Sequence, residues 1–359
     1  SEKAAAAWGR MKLQEKFQPD YVILHDIFCK DVLTDIHEWV PGAKIVTFFH
    51  SAYGRSEKRK GKADSELERK VQYQREMIEE SDLSIAVGSF SEGYLRSITP
   101  EEQHQRITSL PPGLPNIRSK AKKATHFNAI SFGRLDPVSD SLKQIRVAAS
   151  AWGEAFRSKK ISKLVTDDVK FFAVGAKGSN SVLTSEKSKA NTTWRAQIYE
   201  LAFEDVSTFD GSLLQQRMES CAFALLNSWY ENFGLTYLEA CTFGVPTIVS
   251  ESSGFYYDVS KIIGRDLAEE LVNVVSVEGV TEEELVEELK LQLIAGSQAF
   301  DDTFEKATRL RELLLEKWPS WNDVAKDLIG ALKSIETGPV TSRHDEEHFD
   351  GNDPKYREV

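Results

Sequence analysis

The chain has 359 residues, 41% apolar and 28% charged, with 21 Gly and 11 Pro. At roughly 150 residues per domain this points to two domains, each able to bury a core, and excludes a mostly disordered, collagen-like or coiled-coil chain. A net charge of −11 argues against a general nucleic-acid binder. Cys29, Cys221 and Cys241 lie far apart and form neither a metal spacing nor a disulfide framework. Such usage points to a reducing, cytoplasmic setting. No apolar stretch approaches the ~18 residues of a membrane-spanning helix. Ser1–Arg10 holds an Ala run but no long apolar core, so it does not read as a signal peptide.

Ala4–Phe17 reads as one helix. Tyr21–Leu24, Lys44–Phe49 and Leu83–Val87 are short apolar runs entered from turn signals, and Asp64–Glu80 is a polar helix candidate. Buried runs separated by helices predict a parallel sheet with crossover helices. Pro111-Pro112-Gly113-Leu114-Pro115 breaks regular structure and, with the basic stretch Ser119–Thr125, marks a domain boundary. The pattern then repeats. Phe127–Phe132, Val169–Val174, Phe223–Leu226 and Pro246–Val249 read as strands, and Leu142–Phe156, Leu213–Cys221 and Thr236–Phe243 as helices. Glu282–Glu316 has helical spacing, Asn322–Ile335 is a last amphipathic helix, and the chain turns polar after Glu336. Both halves therefore read as doubly wound α/β domains, with ligands expected in the cleft outside the strand ends.

Ser228–Pro246 is the most informative stretch. Glu231 and Glu239 stand eight apart, a spacing that carries nothing by itself in a chain this rich in Glu. Their setting carries more. A strand ends near Asn227, a loop holds Glu231, and Gly234 permits a tight turn into a helix from Leu235. The first N–H groups of that helix and its dipole suit a phosphate. Glu239, about one turn inside, is placed to reach a ribose diol, and Glu231 to grip a sugar hydroxyl. A solvated loop carboxylate and a helix-surface Glu are the plain alternatives.

Glu231-Asn-Phe-Gly234-Leu-Thr236-x-x-Glu239-Ala-x-x-x-Gly244-x-Pro246 resembles the signature of retaining glycosyltransferases of family 4, which have the GT-B fold. Ile130-Ser-Phe-Gly133-Arg134-Leu-Asp-Pro137 resembles the strand end that opens their second domain. Phe171–Gly175, Phe209-Asp-Gly211 with the following helix, and Trp318–Trp321 with the last helix continue the likeness. Pro19–His25, Val46–Ser51 and Asp82–Ser89 resemble strand ends of the first domain. The resemblance implies that Glu231 contacts hydroxyls of the donor sugar and that Phe233, Gly234, Leu235 and Thr236 approach sugar and phosphates through backbone. It implies that Glu239 binds the ribose, that Gly133 and Arg134 meet the departing diphosphate, and that His50 sits near sugar and acceptor, with His25 on the acceptor side.

One departure stands out. The family usually carries a Lys shortly after the Arg of Gly-Arg, and here Ser139-Asp140 occupies that position. Lys143, one helical turn on, either reaches back to the phosphate or lies on the surface. His344-Asp-Glu-Glu-His348 has two His at helical spacing but Asp where a zinc protease carries Glu, so metal binding is not expected. Arg55, Lys58, Arg59, Lys60 and Lys62 read as a solvated loop or, functionally, as a contact for an anionic acceptor or membrane surface.

The expectation is a two-domain GT-B transferase. Residues 1–117 form an acceptor-side Rossmann-like domain, 118–318 the nucleotide-sugar domain, 319–336 a helix returning to the first, and 337–359 a polar tail or linker. Only about 18 residues precede the first matched strand, so the first domain reads as reduced or truncated, with further domains of a longer polypeptide as one explanation. The donor is a nucleotide-diphosphate sugar, the acceptor a glycan, lipid-linked or protein hydroxyl, with no metal or other cofactor. A cytoplasmic location, peripheral at the membrane, follows. The alternatives are a nucleotide-sugar-binding or scaffold module without transfer, and a GT-B sugar-nucleotide epimerase.

Overall fold

A computed structural model describes residues 19–337, except 60, 116, 118, 136–141, 159, 162, 163, 166–168, 177–182, 184–196 and 203–211. The predicted helix Ala4–Phe17, the Phe209-Asp-Gly211 turn, Ser139-Asp140, Lys60, the His344–His348 pair and the tail beyond 337 lie outside the described residues. Two compact units are present. One runs to Pro112 and resumes at Trp321; the other spans Gly113–Ser320.

The first unit holds a parallel sheet in the order β1-β2-β3-β4, formed by β1 (Tyr21–His25), β2 (Lys44–Phe49), β3 (Leu83–Val87) and β4 (Ile107–Leu110). Between them run α1 (Leu33–Trp39), α2 (Tyr53–Arg59), α3 (Asp64–Glu80) and α4 (Ser89–Ser97). α3 is polar yet buries Gln74, Met77 and Ile78, one stripe at helical spacing, as an amphipathic crossover helix must. Tyr21, Val46, Phe48, Leu83, Ile85 and Leu110 form the opposite apolar face of the sheet. α12 (Trp321–Thr337) covers that face with Leu328, Ala331, Leu332 and Ile335. The Tyr21 hydroxyl also bonds to the Leu332 carbonyl and the Glu336 carboxylate.

The second unit is built on a six-stranded parallel sheet in the order β10-β9-β8-β5-β6-β7. Its elements are β5 (Ala129–Leu135), α5 (Ile145–Arg157), β6 (Lys170–Ala176), β7 (Gln197–Ala202), α6 (Ser212–Glu219), β8 (Phe223–Leu226) and α7 (Leu235–Phe243). Then follow β9 (Thr247–Ser250), α8 (Gly254–Ile263), α9 (Arg265–Leu271), β10 (Asn273–Val275), α10 (Glu282–Gln298) and α11 (Phe300–Lys317). Phe127, Trp152, Phe171 and Phe223 meet at ring distances of 5.5–6.4 Å in its core. The buried Trp152 indole N–H donates to the Phe127 carbonyl at 2.9 Å, so the polar edge of the ring is satisfied.

The second sheet departs from the sequence pattern at instructive points. The helix expected from Leu142 is interrupted at Gln144, whose φ is +54°, and runs continuously only from Ile145. Tertiary bonds impose the break: Trp229 N–H donates to the Leu142 carbonyl at 2.7 Å and Asn227 Nδ2 to the Gln144 carbonyl at 3.3 Å. The helical run Glu282–Glu316 divides at Ala299, which turns Phe300 into the core against Phe223. Arg55–Lys62 is not a solvated loop at its start: α2 covers it to Arg59, because Tyr53 and Glu57 on the same turns are buried.

Candidate functional site

In the second unit the site grows from the end of β8. All four β8 residues are buried, so the chain emerges with its direction fixed, and Asn227 and Ser228 are still buried. The next residues lie beside the start of α8. Glu231 N–H donates to the Ser252 carbonyl at 3.2 Å, Gly254 N–H to the Glu231 carbonyl at 3.0 Å, and Phe255 N–H to the Phe233 carbonyl. This approach is possible only at a glycine: a Cβ on Gly254 would stand 2.1 Å from the Asn232 carbonyl oxygen. The Glu231 backbone is therefore clamped on both sides.

Gly234 then turns the chain, with φ +99°, and its carbonyl accepts from Tyr237 and Leu238 N–H at 2.9 and 3.2 Å. α7 opens at Leu235, as the spacing predicts. Phe233 is buried against Trp318, ring centres 6.0 Å apart, while Leu235 is exposed and Thr236 half-buried. The helix start is thus anchored by an aromatic pair and presents its first turn outward, where its dipole favours an anion.

Lys143 and Glu231 form an ion pair, both side chains largely screened from water. The aliphatic stem of Lys143 runs past Gly133, where a Cβ would lie 3.6 Å from Lys143 Cδ. Lys143 therefore lies neither on the free surface nor along α5. The left-handed Gln144 that follows it breaks the helix beside this cluster. Gly133 and Lys143, ten residues apart, meet the distant Glu231 here. Arg134 occupies the next position of β5; its side chain lies outside the described residues.

Glu239 is half-buried on α7 and makes no hydrogen bond or ion pair with any described residue. Burial pushes its carboxyl up to about 7 from an ordinary 4.5. An acceptor-only group that gives up water and gains nothing in return is costly. Its position, one turn into the helix, is where a diol would satisfy it.

In the first unit His50 follows β2 and His25 ends β1, at the carboxyl edge of the parallel sheet. His25 Nδ1 and His50 Nε2 are 2.9 Å apart. The basic stretch is divided among partners: Arg55 lies over the Phe90 ring at 5.1 Å and Lys62 beside Glu66 at 3.8 Å. Among the described residues no three His, Cys, Asp or Glu are grouped to hold a metal ion, and no helix is long and apolar enough to cross a membrane.

A family model described as a family 4 glycosyltransferase in conflict systems matches residues 1–328. The chain belongs to that family. A sequence comparison with curated proteins gives no match. Among solved structures, this family-4 chain is similar in fold to a sucrose-phosphate synthase from Thermosynechococcus elongatus. There the TM-score is 0.65 and the identity 16%, over 94% of this chain and 78% of the other. It is similar to the pneumococcal O-GlcNAc transferase GtfA, solved with UDP and GlcNAc, at TM-score 0.65 and 13% identity, over 93% of this chain and 60% of that one. It also resembles a variant of S. aureus TarM, solved with fondaparinux, α-GlcNAc-glycerol and UDP, at TM-score 0.64 and 13% identity, over 90% of this chain and 58% of that one. The chain thus spans less than two thirds of the latter two. These likenesses establish the GT-B α/β fold.

Two features, one in each unit, escape a reading of the sequence alone. Gly254 clamps Glu231 from a different strand end, and its only signal is Ser252-Ser253-Gly254 after an apolar run. Asp26, next to His25, carries a backbone conformation with φ +54° that no residue pattern announces.

Proposed function

We propose that this chain transfers a sugar from a nucleotide-diphosphate sugar to an acceptor hydroxyl, with retention of configuration at the sugar. The Lys143–Glu231 pair over Gly133, set beside the first turn of α7, carries the reading. It puts a carboxylate for sugar hydroxyls, a cation for a diphosphate and unfilled helix N–H groups within one small volume. The unpartnered Glu239 one turn further on fits a ribose. The UDP in the GtfA and TarM structures agrees with a nucleotide donor.

In this reading Glu231 orients the sugar. Lys143 takes the place of the cation that Ser139-Asp140 does not supply, exchanging Glu231 for a phosphate oxygen when donor enters. Arg134, Lys143 and the start of α7 spread the charge that develops on the leaving diphosphate, so the protein supplies positioning and electrostatics and needs no metal. Phe233 to Thr236 approach the donor largely through backbone. His50, at its strand end, serves the sugar and acceptor, and the leaving phosphate takes the acceptor proton. The first unit would hold the acceptor and the second the donor. A binding module without transfer is the second reading, favoured by the missing family Lys.

The experiment is to offer the purified chain a set of nucleotide sugars with simple acceptors and follow nucleotide release and the anomer formed. Glu231→Ala and Arg134→Ala should each lower turnover by about 10²-fold or more while the fold survives. Near-wild-type turnover in both overturns the site. Tight donor binding without any turnover selects the binding module.

A further inference from the structure

The strand ends of the first unit carry a built arrangement that the donor site does not use. Asp26 has φ +54° and ψ −177°, a region that residues with side chains rarely enter. Hydrogen bonds hold it there. Its N–H donates to the Phe48 carbonyl at 2.8 Å, its Oδ1 accepts His50 N–H at 3.1 Å, and the carboxylate also takes Ser51 N–H. The residue is 6% exposed, and burial pushes its carboxyl up to about 6 despite those donors. Asp26 thus straps the end of β1 to the end of β2 and sets where the rings of His25 and His50 stand.

The two rings are nearly parallel, 16° apart, with centres 5.2 Å apart. A ring nitrogen lies about 1.15 Å from its ring centre, so a straight N–H···N bond between flat rings puts the centres about 5.2 Å apart. With the observed N···N distance of 2.9 Å, the imidazoles therefore meet edge to edge in one plane, the geometry of a linear hydrogen bond. Phe48 flanks both, its ring near-parallel to theirs at 5.5 and 6.5 Å.

One of the two nitrogens must carry the hydrogen, and the surroundings choose which. The Asp26 carboxylate interacts favourably with a charge on His25, whereas it meets His50 through the backbone N–H. His50 keeps an exposed edge, but partial burial lowers its pKa from the ordinary 6.5. The other titratable groups nearby do not reverse this. Tyr53 of α2 is raised by burial and by Asp26 and stays neutral. Cys29 Sγ donates to the His25 carbonyl at 3.6 Å. Lys30 is engaged by Glu76 and Glu80, and Glu57 by Lys70.

We propose that His25 and His50 act as one dyad: His25 carries the shared proton and donates it from Nδ1 to His50 Nε2, which fixes the proton of neutral His50 on Nδ1. His50 then acts in the site as a hydrogen-bond donor to an oxygen and not as a base, and His25 is its positioning residue. This deepens the transferase reading, since it rests on His50 lying in the site.

The test uses the full chain with ¹⁵N-labelled histidine, read by NMR from about pH 5 to pH 8, where imidazoles titrate. His50 is expected as the neutral Nδ1–H tautomer, with its Nε2 accepting from His25 Nδ1. His25→Phe keeps a flat ring against Phe48 but removes the donor, and His50 should revert to the Nε2–H tautomer. His25→Gln restores an N–H donor and should restore Nδ1–H. Wild-type His50 seen as Nε2–H, or a tautomer indifferent to His25→Phe, overturns the dyad. In transfer assays His25→Phe should lower kcat about tenfold with KM little changed, and His25→Gln should recover it in part. The tautomer is read without any donor, so a failed transferase reading leaves the dyad standing or falling by itself.

Discussion

Glu239 shows what a single side chain contributes to such a site. The folded chain keeps its proton up to about 7, while the unfolded chain releases it near the ordinary 4.5. Between those values the folded state binds more protons, so stability falls as pH rises through the interval and levels off above it. A ribose diol donates two hydrogen bonds to a carboxylate, which favours the ionised form and draws the pKa back down. Donor binding should therefore expel a proton near neutrality. A nucleotide-diphosphate sugar has no group of its own that titrates there, which keeps the measurement clean. Its affinity for the wild type should rise about fivefold between pH 6 and 7. Glu239→Gln should bind more weakly and with no such slope. Calorimetry in buffers of different ionisation enthalpy reads the proton directly. A wild type whose affinity is flat with pH removes Glu239 from the ribose.

At the scale of elements, the site is a meeting of strand ends and turns, and only some of these are legible in the sequence. The apolar runs that become β2, β3, β8 and β9 announce themselves, and so does α7, bracketed by Gly234 and Gly244. β10 has three residues, too short for a periodic signal, β4 carries Thr108 and Ser109 where β8 has an unbroken apolar run, and β7 carries no turn residues that frame it. The sequence alone does not place Lys143, because its position depends on the left-handed Gln144 and on the bonds from Asn227 and Trp229 that hold this stretch. The clamp at Gly254 is tertiary in the same sense. Adding one carbon there drives it to 2.1 Å from the Asn232 carbonyl oxygen, and backbone on both sides must move. Gly254→Ala should cost about 3 kcal/mol or more in denaturant unfolding, the upper range for overpacking. Because the moved backbone is that of Glu231, donor binding should fall together with stability. An alanine variant with unchanged Tm and donor affinity would show that the two strand ends are not held together as described.

The whole molecule divides into two units with separate cores, and the first is completed by the end of the chain. Val46, Leu83 and Ile85 form a sheet face that β1–β4 cannot cover alone, and Leu328, Ala331, Leu332 and Ile335 of α12 cover it. These four recur at helical spacing on one side of α12, while Ile329 and Trp321 face water. Sequence reading recognises the amphipathic stripe, and the family resemblance returns this helix to the first domain, but which strands it covers is settled only by packing. The Tyr21 hydroxyl ties β1 to the last turn of the helix, and its hydrogen bond to the Glu336 carboxylate pushes the phenol up to about 12. Leu332→Glu puts a charge against this apolar face without touching the other core. It should cost about 2–4 kcal/mol, the sum of lost apolar burial and a carboxylate without a partner. Hydrogen exchange read by mass spectrometry should show β1–β4 opening faster, by about 30-fold or more in rate if exchange follows the unfolding equilibrium. Amides of β5, β6, β8 and β9 should keep their protection. Uniform loss across both sheets would mean that the units unfold as one, and no loss in β1–β4 would mean that α12 is not what holds the first sheet closed.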